Sequence, residues 1–308
     1  MVGLGAFGSH HARHYAAHPG AVLVAVADAD SSRAEAAAGA YGAAAASSHR
    51  DLIGKVDAVS VAVPASLHHT VAGDLVDAGI HILVEKPIAT DSAAARDLIA
   101  RAARTGAVLQ VGHIERFSPI TGVLRERVAA PRRIACVRHA KPNARNGDVD
   151  VVLDLMIHDI DLVLTLAKTP PVSVSASGRA SAGGRIDEAE AWLTFANGLA
   201  ATLSASRVAG ESLRRISVTE PDAAYVADLG AGRLTVADRS RWGAEASTID
   251  VPAHDNLAAE IDAFLAAVSG RTAPVVDGAA GLAALEVAER IQAAIADADI
   301  PMRREVAR

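Results

Sequence analysis

The 308-residue sequence lacks the features that mark several broad classes of protein. Its one cysteine, Cys136, cannot form an intrachain disulfide and offers no zinc-binding spacing, which fits a reducing compartment. No apolar run approaches the roughly 18 to 20 residues of a membrane span, and the histidine-rich start is not typical of a signal peptide. A net charge of −6 gives no broad attraction to nucleic acid or an anionic membrane. We therefore expect a cytoplasmic protein that binds neither.

Aromatic residues and lysine are also scarce, whereas aliphatic residues are abundant. Aromatic residues make up 3 % of the chain and hydrophobic residues 51 %, so the core must rest on aliphatic contacts between slim helices. The length predicts two domains. Only four of the 30 basic residues are lysine, and one of them, Lys86, lies between an apolar strand and a proline.

Apolar stretches of strand length alternate with alanine-rich helical stretches through about residue 110. The alternation predicts a parallel sheet with helices on both faces, which is a doubly wound α/β domain. The predicted strands lie near Met1–Gly3, Ala21–Ala27, Gly42–Ala46, Val56–Val63, Ile80–Val84 and Ala107–Gln110. The predicted helices lie near Ala6–His18, Ser31–Gly39, Leu67–Ala78 and Asp91–Thr105, the last with Asp91 or Thr90 as its cap and Gly106 as its stop.

Residues 3–8 (GLGAFG) form a G-x-G-x-x-G pattern between a strand remnant and a helix. In such a turn Gly3 allows the tight bend, Gly5 lets a pyrophosphate approach the helix N-terminus, and Gly8 lets the helix pack on the sheet. The pattern predicts a dinucleotide-binding (Rossmann) turn in which Ala6 and Phe7 also contact the cofactor. A plain glycine-rich turn is the alternative.

Asp28 ends the second predicted strand, where an acidic side chain can accept hydrogen bonds from the ribose diol of NAD. Its position favours NAD over NADP. Arg33 nearby leaves room for the 2′-phosphate of NADP, so we count both Asp28 and Arg33 as cofactor contacts. A role for Asp28 as a helix cap or turn residue is the alternative.

The first predicted strand is unusually short. Only Met1 and Val2 precede Gly3, whereas a strand usually has about five or six residues. We expect either a truncated strand or a chain that begins about five residues further upstream. A longer N-terminus is then expected to bind the cofactor more tightly.

Several segments resemble the glucose-fructose oxidoreductase, inositol dehydrogenase and MocA family, and the resemblance covers essentially the whole chain. Residues 85–87 (EKP) close the dinucleotide domain as in the family, residues 62–69 (AVPASLHH) resemble the family loop near the nicotinamide, and residues 154–158 (DLMIH) match its D-x-x-x-H segment. Residues 112–117 (GHIERF), 148–152 (DVDVV) and 158–161 (HDID) look most like the bacterial UDP-N-acetylglucosamine 3-dehydrogenase branch.

The resemblance implies an NAD-dependent oxidoreductase that moves a hydride between a sugar carbon and the nicotinamide, in a homodimer or homotetramer. It implies cofactor contacts by Pro64, His68, Glu85 and Lys86. It also implies that His158 is the acid or base, that Lys86 holds and polarises the carbinol oxygen, and that Asp154 positions His158. For this branch the reaction is oxidation of UDP-N-acetylglucosamine at C3, which would supply a 3-keto sugar to an aminotransferase.

Lys86 attracts attention without the family as well. It follows a buried strand and precedes a proline, which points it to the carboxyl edge of the sheet, where doubly wound folds bind ligands. Partial burial beside a cofactor would lower its pKa and make it a proton or hydrogen-bond donor to a carbinol oxygen. An ordinary surface lysine in a loop is the alternative.

The second half begins with a helix near Ser118–Ala129 and a strand near Arg133–Ala140, followed by an apolar helix over Asp150–Ala167. In that helix Asp154, His158 and Asp161 fall at i, i+4 and i+7, which places them on one face. Asp154 can then orient His158 and stabilise its protonated form. A satisfied core histidine is the alternative. Two carboxylates and one imidazole make a poor zinc site, so we predict no metal.

Strand patterns dominate the rest of the chain and predict an open, largely antiparallel sheet. The predicted strands lie near Val172–Ser177, Ala189–Phe195, Leu199–Ser206, Arg215–Thr219, Ala224–Asp228 and Gly232–Val236, with helices near Asn256–Ser269 and Gly278–Ala296. The chain is thus divided into a dinucleotide-binding domain over residues 1–118 and an α+β substrate-binding and oligomerisation domain over residues 119–308.

A UDP diphosphate would need cationic partners or helix N-termini. The arginines in suitable segments are Arg116, Arg138, Arg145, Arg207 and Arg214. Each alone is more typical of a solvated surface residue; we expect Arg116 and Arg145 to bind substrate, together with Lys86, Asp154 and His158. Two other functions stay open: a dehydrogenase of inositol or a free sugar, and a non-catalytic dinucleotide-binding sensor or regulator.

Overall fold

A computed structural model describes residues 1–142, 148–180, 184–241, 245–252 and 254–305, with side chains through residue 298. The chain forms two compact units. The first comprises Met1–Phe117 and Asp255–Leu282, and the second comprises Ser118–His254 and Ala283–Arg308. The sequence predicts one domain boundary, at residue 118. In the structure the chain also returns to the first unit, through Asp255–Leu282. Within the described ranges, no helix has both the length and the apolar character to cross a membrane.

The first unit is the doubly wound α/β domain that the sequence predicts. Its strands are β1 (Ala25–Ala27), β2 (Ala44–Ala46), β3 (Ala58–Val61), β4 (His81–Glu85) and β5 (Leu109–Gly112). Its helices along this stretch are α1 (Ala6–Ala17), α2 (Ser31–Tyr41), α3 (Ala65–Asp77) and α4 (Ser92–Thr105). β1 pairs with β2, and β3, β4 and β5 form a second group, all in parallel.

The predicted strand Met1–Gly3 is present in truncated form: Val2 bridges Ala27 and Val61 in parallel, and the Met1 and Val2 carbonyl oxygens accept from the Ala27 and Ala62 N–H groups at 2.9 and 2.8 Å. The Met1 ammonium is buried and donates to the Ala25 carbonyl oxygen at 3.0 Å. Beside it a groove of about 370 Å³ is lined by residues 20–25 and 55–58. Residues 21–24 and 56–57, which the sequence predicts to start the neighbouring strands, line this groove, and β1 and β3 begin only at Ala25 and Ala58.

Helix ends in this unit follow from local side-chain chemistry. The Asp30 side chain accepts hydrogen bonds from the first backbone N–H groups of α2, and Gly42 ends that helix with φ of 68°. The Asp91 side chain accepts from the Ala94 N–H at the start of α4, and Gly106 ends it with φ of 73°. Both the cap and the stop predicted for α4 are confirmed.

Helix α7 (Asn256–Val268) explains the return of the chain to the first unit. Leu257, Ile261 and Phe264 lie on one helical face and pack against Tyr15 and Leu83. Burying this face removes a large aliphatic and aromatic surface from water. A linear reading of the sequence places α7 after the second domain and therefore misses this packing.

The second unit contains the open, mostly antiparallel sheet. Its strands are β6 (Arg133–His139), β7 (Pro171–Ala180), β8 (Ile186–Phe195), β9 (Ala200–Ser206), β10 (Leu213–Thr219), β11 (Ala223–Asp228), β12 (Arg233–Asp238) and β13 (Ser247–Asp250), in the order β13-β12-β11-β10-β6-β9-β8-β7. Among these described strands, the neighbours β6 and β9 are parallel and every other neighbouring pair is antiparallel. Strand β13 is not among the predicted strands.

Helices α5 (Pro119–Arg127) and α6 (Ile157–Ala167) belong to this unit, and α8 (Gly278–Glu305) begins in the first unit and continues in the second. The predicted continuous α-helix over Asp150–Ala167 is wrong in its first part. Val152–Met156 form a π-helix, a wider turn, and α6 follows it directly. The π-helix contains Asp154, and π-bulges of this kind occur frequently at functional sites.

Candidate active site

The glycine turn at residues 3–8 connects Val2 to α1 and has the geometry of a dinucleotide-binding turn. A Cβ at Gly3, whose φ is 85°, would lie 2.6 Å from the Ala62 carbonyl, and one at Gly8 would lie 1.9 Å from the Gly3 oxygen. Both positions therefore require glycine. A Cβ at Gly5 would meet nothing within 4 Å, and Gly5 caps α1 with no side-chain hydrogen bond. The first backbone N–H groups of α1 therefore receive no hydrogen bond from a capping side chain, and the space beside Gly5 is open, which fits the binding of a pyrophosphate.

Asp28 follows β1 and braces the same turn. Its Oδ2 accepts a hydrogen bond of 2.6 Å from the Leu4 N–H, and its Oδ1 accepts one of 2.9 Å from the Asp30 N–H. Asp30 caps α2, so the alternative of Asp28 as that helix cap is wrong. Asp28 instead has the other alternative role, that of a turn residue, because it accepts hydrogen bonds from two backbone N–H groups. Arg33 forms an ion pair of 3.1 Å with Asp30 and lies 3.8 Å from Asp28. A carboxylate at the tip of β1 favours the ribose diol of NAD over a 2′-phosphate.

Lys86 lies half-buried directly after β4, at the carboxyl edge of the parallel strands. Pro64 lies at the same edge, after β3, and caps α3. The buried His68 ring joins the two loops, because Nδ1 is 2.7 Å from the Pro87 carbonyl oxygen and Nε2 is 2.9 Å from the Val63 carbonyl oxygen. The structure therefore brings Pro64, His68 and Lys86 to one edge of the sheet, where the buried His68 ring connects the two loops by hydrogen bonds.

Glu85 has partners that the sequence does not reveal. His11 of α1, Glu85 and Glu260 of α7 lie with their nitrogen and oxygen atoms within 4.8 Å of one another, and His11 Nε2 is 3.0 Å from Glu85 Oε1. Glu85 thus faces a cluster of buried titratable side chains. A signal was present for Glu260: it is a carboxylate within one turn of the apolar face of α7, three residues after Leu257.

Asp154 and His158 lie half-buried in the second unit, on the π-helix and the first turn of α6. The Asp150 side chain fixes the entry to the π-helix, because its Oδ1 accepts from the Val152 and Leu153 N–H groups at 3.0 and 3.1 Å. Its Oδ2 accepts from Gln292 Nε2 at 2.8 Å.

Two more aspartates of α6 turn inward. Asp161 is 1 % exposed, so it lies deeper than Asp154 and His158, which are both half-buried. Asp159 is buried and binds the Arg138 guanidinium with both carboxylate oxygens, the shortest contact being 2.8 Å. This ion pair attaches α6 to β6 immediately beside His158.

The predicted anion-binding arginines differ in their surroundings. Arg116 is half-buried on a 3-10 turn, Ile114–Phe117, which follows β5. Arg138 is engaged by Asp159, and Arg207 binds Asp187 and donates to the Val149 carbonyl oxygen, so both stabilise the second unit rather than offer a guanidinium to substrate. Arg214 is exposed on β10. Arg145 lies outside the described residues.

The first unit by itself defines a class: a glycine turn with room for a pyrophosphate, followed by an acidic residue at the next strand end, is an NAD-binding domain. Residues 1–113 match the oxidoreductase family with an NAD-binding Rossmann fold, and residues 135–221 match the GFO/IDH/MocA C-terminal domain. The chain belongs to the GFO/IDH/MocA family of oxidoreductases, as the sequence motifs predict, and its cofactor is NAD.

Individual relatives match nearly the full length. The chain is 37 % identical over 302 residues to the UDP-N-acetylglucosamine 3-dehydrogenase of Acidithiobacillus ferrooxidans, covering 96 % of each chain. The solved structure of that enzyme matches with a TM-score of 0.90. The inositol 2-dehydrogenase of Rhizobium meliloti is 29 % identical and also covers 96 % of each chain.

Proposed function

We propose that this protein is an NAD-dependent dehydrogenase that oxidises the C3 hydroxyl of UDP-N-acetylglucosamine to a ketone. The observation that carries the proposal is the 37 % identity, along 96 % of both chains, to an enzyme of that name. The presence of Lys86, Asp154 and His158 supports catalysis over a non-catalytic sensor, because a sensor needs no ionisable pair of this kind.

Each residue has a defined task in the proposed reaction. The C3–H bond breaks with its electron pair, the O–H bond loses its proton, and a C=O bond forms. NAD, when bound, supplies a hydride acceptor at C4 of its nicotinamide. His158 takes the hydroxyl proton, Lys86 donates a hydrogen bond that polarises the carbinol oxygen, and Asp154 orients the imidazole and stabilises its protonated form.

Binding of the UDP group requires positive charge at its diphosphate. Arg116, half-buried and close in sequence to the edge strand β5, is the described arginine that we assign to this task, and Arg145 is assigned with it. A free sugar or inositol would need hydroxyl-binding side chains in place of this charge. That alternative is supported by the 29 % identity to an inositol 2-dehydrogenase.

Incubation of the purified protein with NAD and one candidate substrate at a time separates these functions. NADH formation is followed by absorbance, with hydroxylamine added to trap the ketone. We expect NADH with UDP-N-acetylglucosamine and none with myo-inositol. Turnover of myo-inositol alone would overturn the nucleotide-sugar assignment, and NADH binding without turnover of any sugar would support the sensor.

We also infer a cytoplasmic homodimer or homotetramer. The single buried cysteine fits a reducing compartment. The outward face of β8 exposes Trp192, which lies opposite Thr202 on β9, and small side chains continue that row to Ala135 on β6. Such a flat face suits contact with a second copy. Light scattering on Trp192→Arg, which places a charge on this face, should give a smaller particle than the parent protein.

A further inference from the structure

The buried cluster of His11, Glu85 and Glu260 lies in the first unit, and His11 and Glu260 have no task in the proposed reaction. His11 and Glu260 are 0 % exposed and the Glu85 side chain is 12 % exposed. The three groups come from α1, the end of β4 and α7, so the fold brings together residues that are far apart in sequence. Gly112 leaves room for Glu85, since a Cβ there would lie 2.8 Å from Glu85 Oε1.

The two carboxyl groups have different surroundings. Glu85 has the imidazole of His11 at 3.0 Å. Neither oxygen of Glu260 has a hydrogen-bond partner among the described residues, and its carboxyl is enclosed completely. Burial, with a further contribution from the nearby Glu85, raises the pKa of Glu260 well above its ordinary value. An unpaired carboxylate in such a place would be strongly unfavourable, whereas a neutral acid is tolerated.

We propose that Glu260 is a neutral carboxylic acid in the working enzyme, that Glu85 carries the negative charge of the pair, and that this cluster positions Lys86. Glu85 and Lys86 are joined by one peptide bond, so fixing the Glu85 carboxylate between His11 and Glu260 fixes the backbone from which Lys86 reaches the substrate oxygen. The role assigned to Lys86 rests on the proposed function. Glu260 is a positioning residue, because it acts through Glu85.

Nearby groups fit this charge assignment. The Tyr15 hydroxyl shares a hydrogen bond of 2.6 Å with the Ser60 hydroxyl, and burial raises its pKa, so Tyr15 is a neutral neighbour that brings no positive charge to the cluster. Gln110 donates its side-chain N–H to the Glu260 backbone carbonyl oxygen at 3.1 Å, which leaves the Glu260 carboxyl unengaged by that amide. No lysine or arginine ion pair to Glu260 is found in the described part of the chain, so a second negative charge would have only His11 to balance it.

Infrared spectroscopy tests the protonation directly and requires no substrate. At neutral pH the wild-type protein should show the carbonyl band of a buried carboxylic acid, with a small shift on exchange into D₂O. Glu260→Gln should abolish that band. Asp262→Asn, a change at an exposed carboxylate on the same helix, should leave it in place. Absence of the band in wild type, or its loss in Glu85→Gln instead, would overturn the assignment.

Kinetics then test the positioning role. Glu260→Gln keeps a neutral group of the same shape, so its loss of kcat should be clearly smaller than that of Glu85→Gln, which removes the anion beside His11 and should lower kcat at least about tenfold. NAD affinity and melting temperature are measured on both variants, so that the comparison stands even if the sugar substrate differs. Equal losses in the two variants, accompanied by a bound divalent metal in elemental analysis, would replace the neutral acid with a metal site.

Discussion

In the first unit the proposed cofactor contacts consist mostly of backbone groups and of the space that glycine residues leave. In the second unit the proposed catalytic groups are the side chains of one helical segment. At Gly3, Gly5 and Gly8 the absence of a Cβ shapes the turn, and the lysine that follows β4 is placed by the sheet edge. In the second unit, Asp154 and His158 lie on a widened turn whose helix is attached to β6 through the buried Arg138–Asp159 pair. The first arrangement depends on local backbone geometry, and the second depends on contacts between distant residues.

The strongest test of this comparison removes one functional side chain from each unit. Lys86→Ala and His158→Ala should each lower kcat by about 10² to 10⁴-fold, the usual contribution of a positioned acid, base or hydrogen-bond donor. Both variants should keep their melting temperatures, and NADH formation at saturating substrate is the measurement. Lys55→Ala and His254→Ala, at exposed positions, serve as matched controls. Near-normal turnover in both active-site variants would refute the assignment of roles.

The same difference explains how much the sequence predicts. The glycine turn, the cap and stop of α4 and the alternation of strands and helices in the first unit depend on residues close together in the chain, so their patterns are visible in the sequence. The π-helix at Asp154, the partner of Arg138 and the return of α7 depend on packing between segments far apart. Periodicity alone predicts a regular α-helix at Val152–Met156. The sequence also gives no sign that Arg138 pairs with Asp159, so Arg138 counts among the possible substrate-binding arginines.

The second prediction concerns the ion pair of the second unit. Arg138→Met removes the guanidinium from the buried Asp159 carboxylate and should cost about 3 to 5 kcal/mol of the free energy of unfolding. Replacing both residues, as Arg138→Met with Asp159→Leu, should restore most of that loss because no charge stays buried alone. The free energy of unfolding is measured by urea denaturation of the parent protein, the single variant and the double variant. A single variant as stable as the parent would show that the pair does not secure α6.

The third prediction returns to the first unit and to the groove beside Met1. Burial lowers the pKa of the Met1 ammonium to about 5 from the ordinary value of 8.0. The unfolded chain takes up a proton at this amine as pH falls from 8 to 5, while the folded chain does not. Stability should therefore decrease over that window, by at most about 4 kcal/mol, and level off below it.

A version with about five apolar, strand-forming residues placed before Met1 is the matched comparison. It has no buried α-amino group, and the added residues can occupy the groove as a strand, so its melting temperature should be higher and should depend less on pH between 8 and 5. It should also bind NAD more tightly, because the added strand supports the glycine turn. Identical NAD affinity at both lengths would contradict this reasoning.

The smallest expected effect separates cofactor approach from folding. Gly5→Ala adds a methyl group where the protein itself has nothing within 4 Å, so the melting temperature should change little. NAD affinity should fall about tenfold, since the methyl group stands where the pyrophosphate approaches the helix start. Gly39→Ala, in α2 and equally open, is the control. Unchanged NAD affinity in Gly5→Ala would contradict the placement of the pyrophosphate beside Gly5.

Hydride transfer from C3 of the sugar is the central claim, and deuterium at that carbon tests it most directly. UDP-N-acetylglucosamine carrying deuterium at C3 is incubated with the protein and NAD, and the NADH is analysed by mass spectrometry and NMR. The proposed reaction predicts NADH with deuterium at C4 of the nicotinamide and a sugar product oxidised at C3. NADH without deuterium, or a product that keeps deuterium at C3, would contradict it.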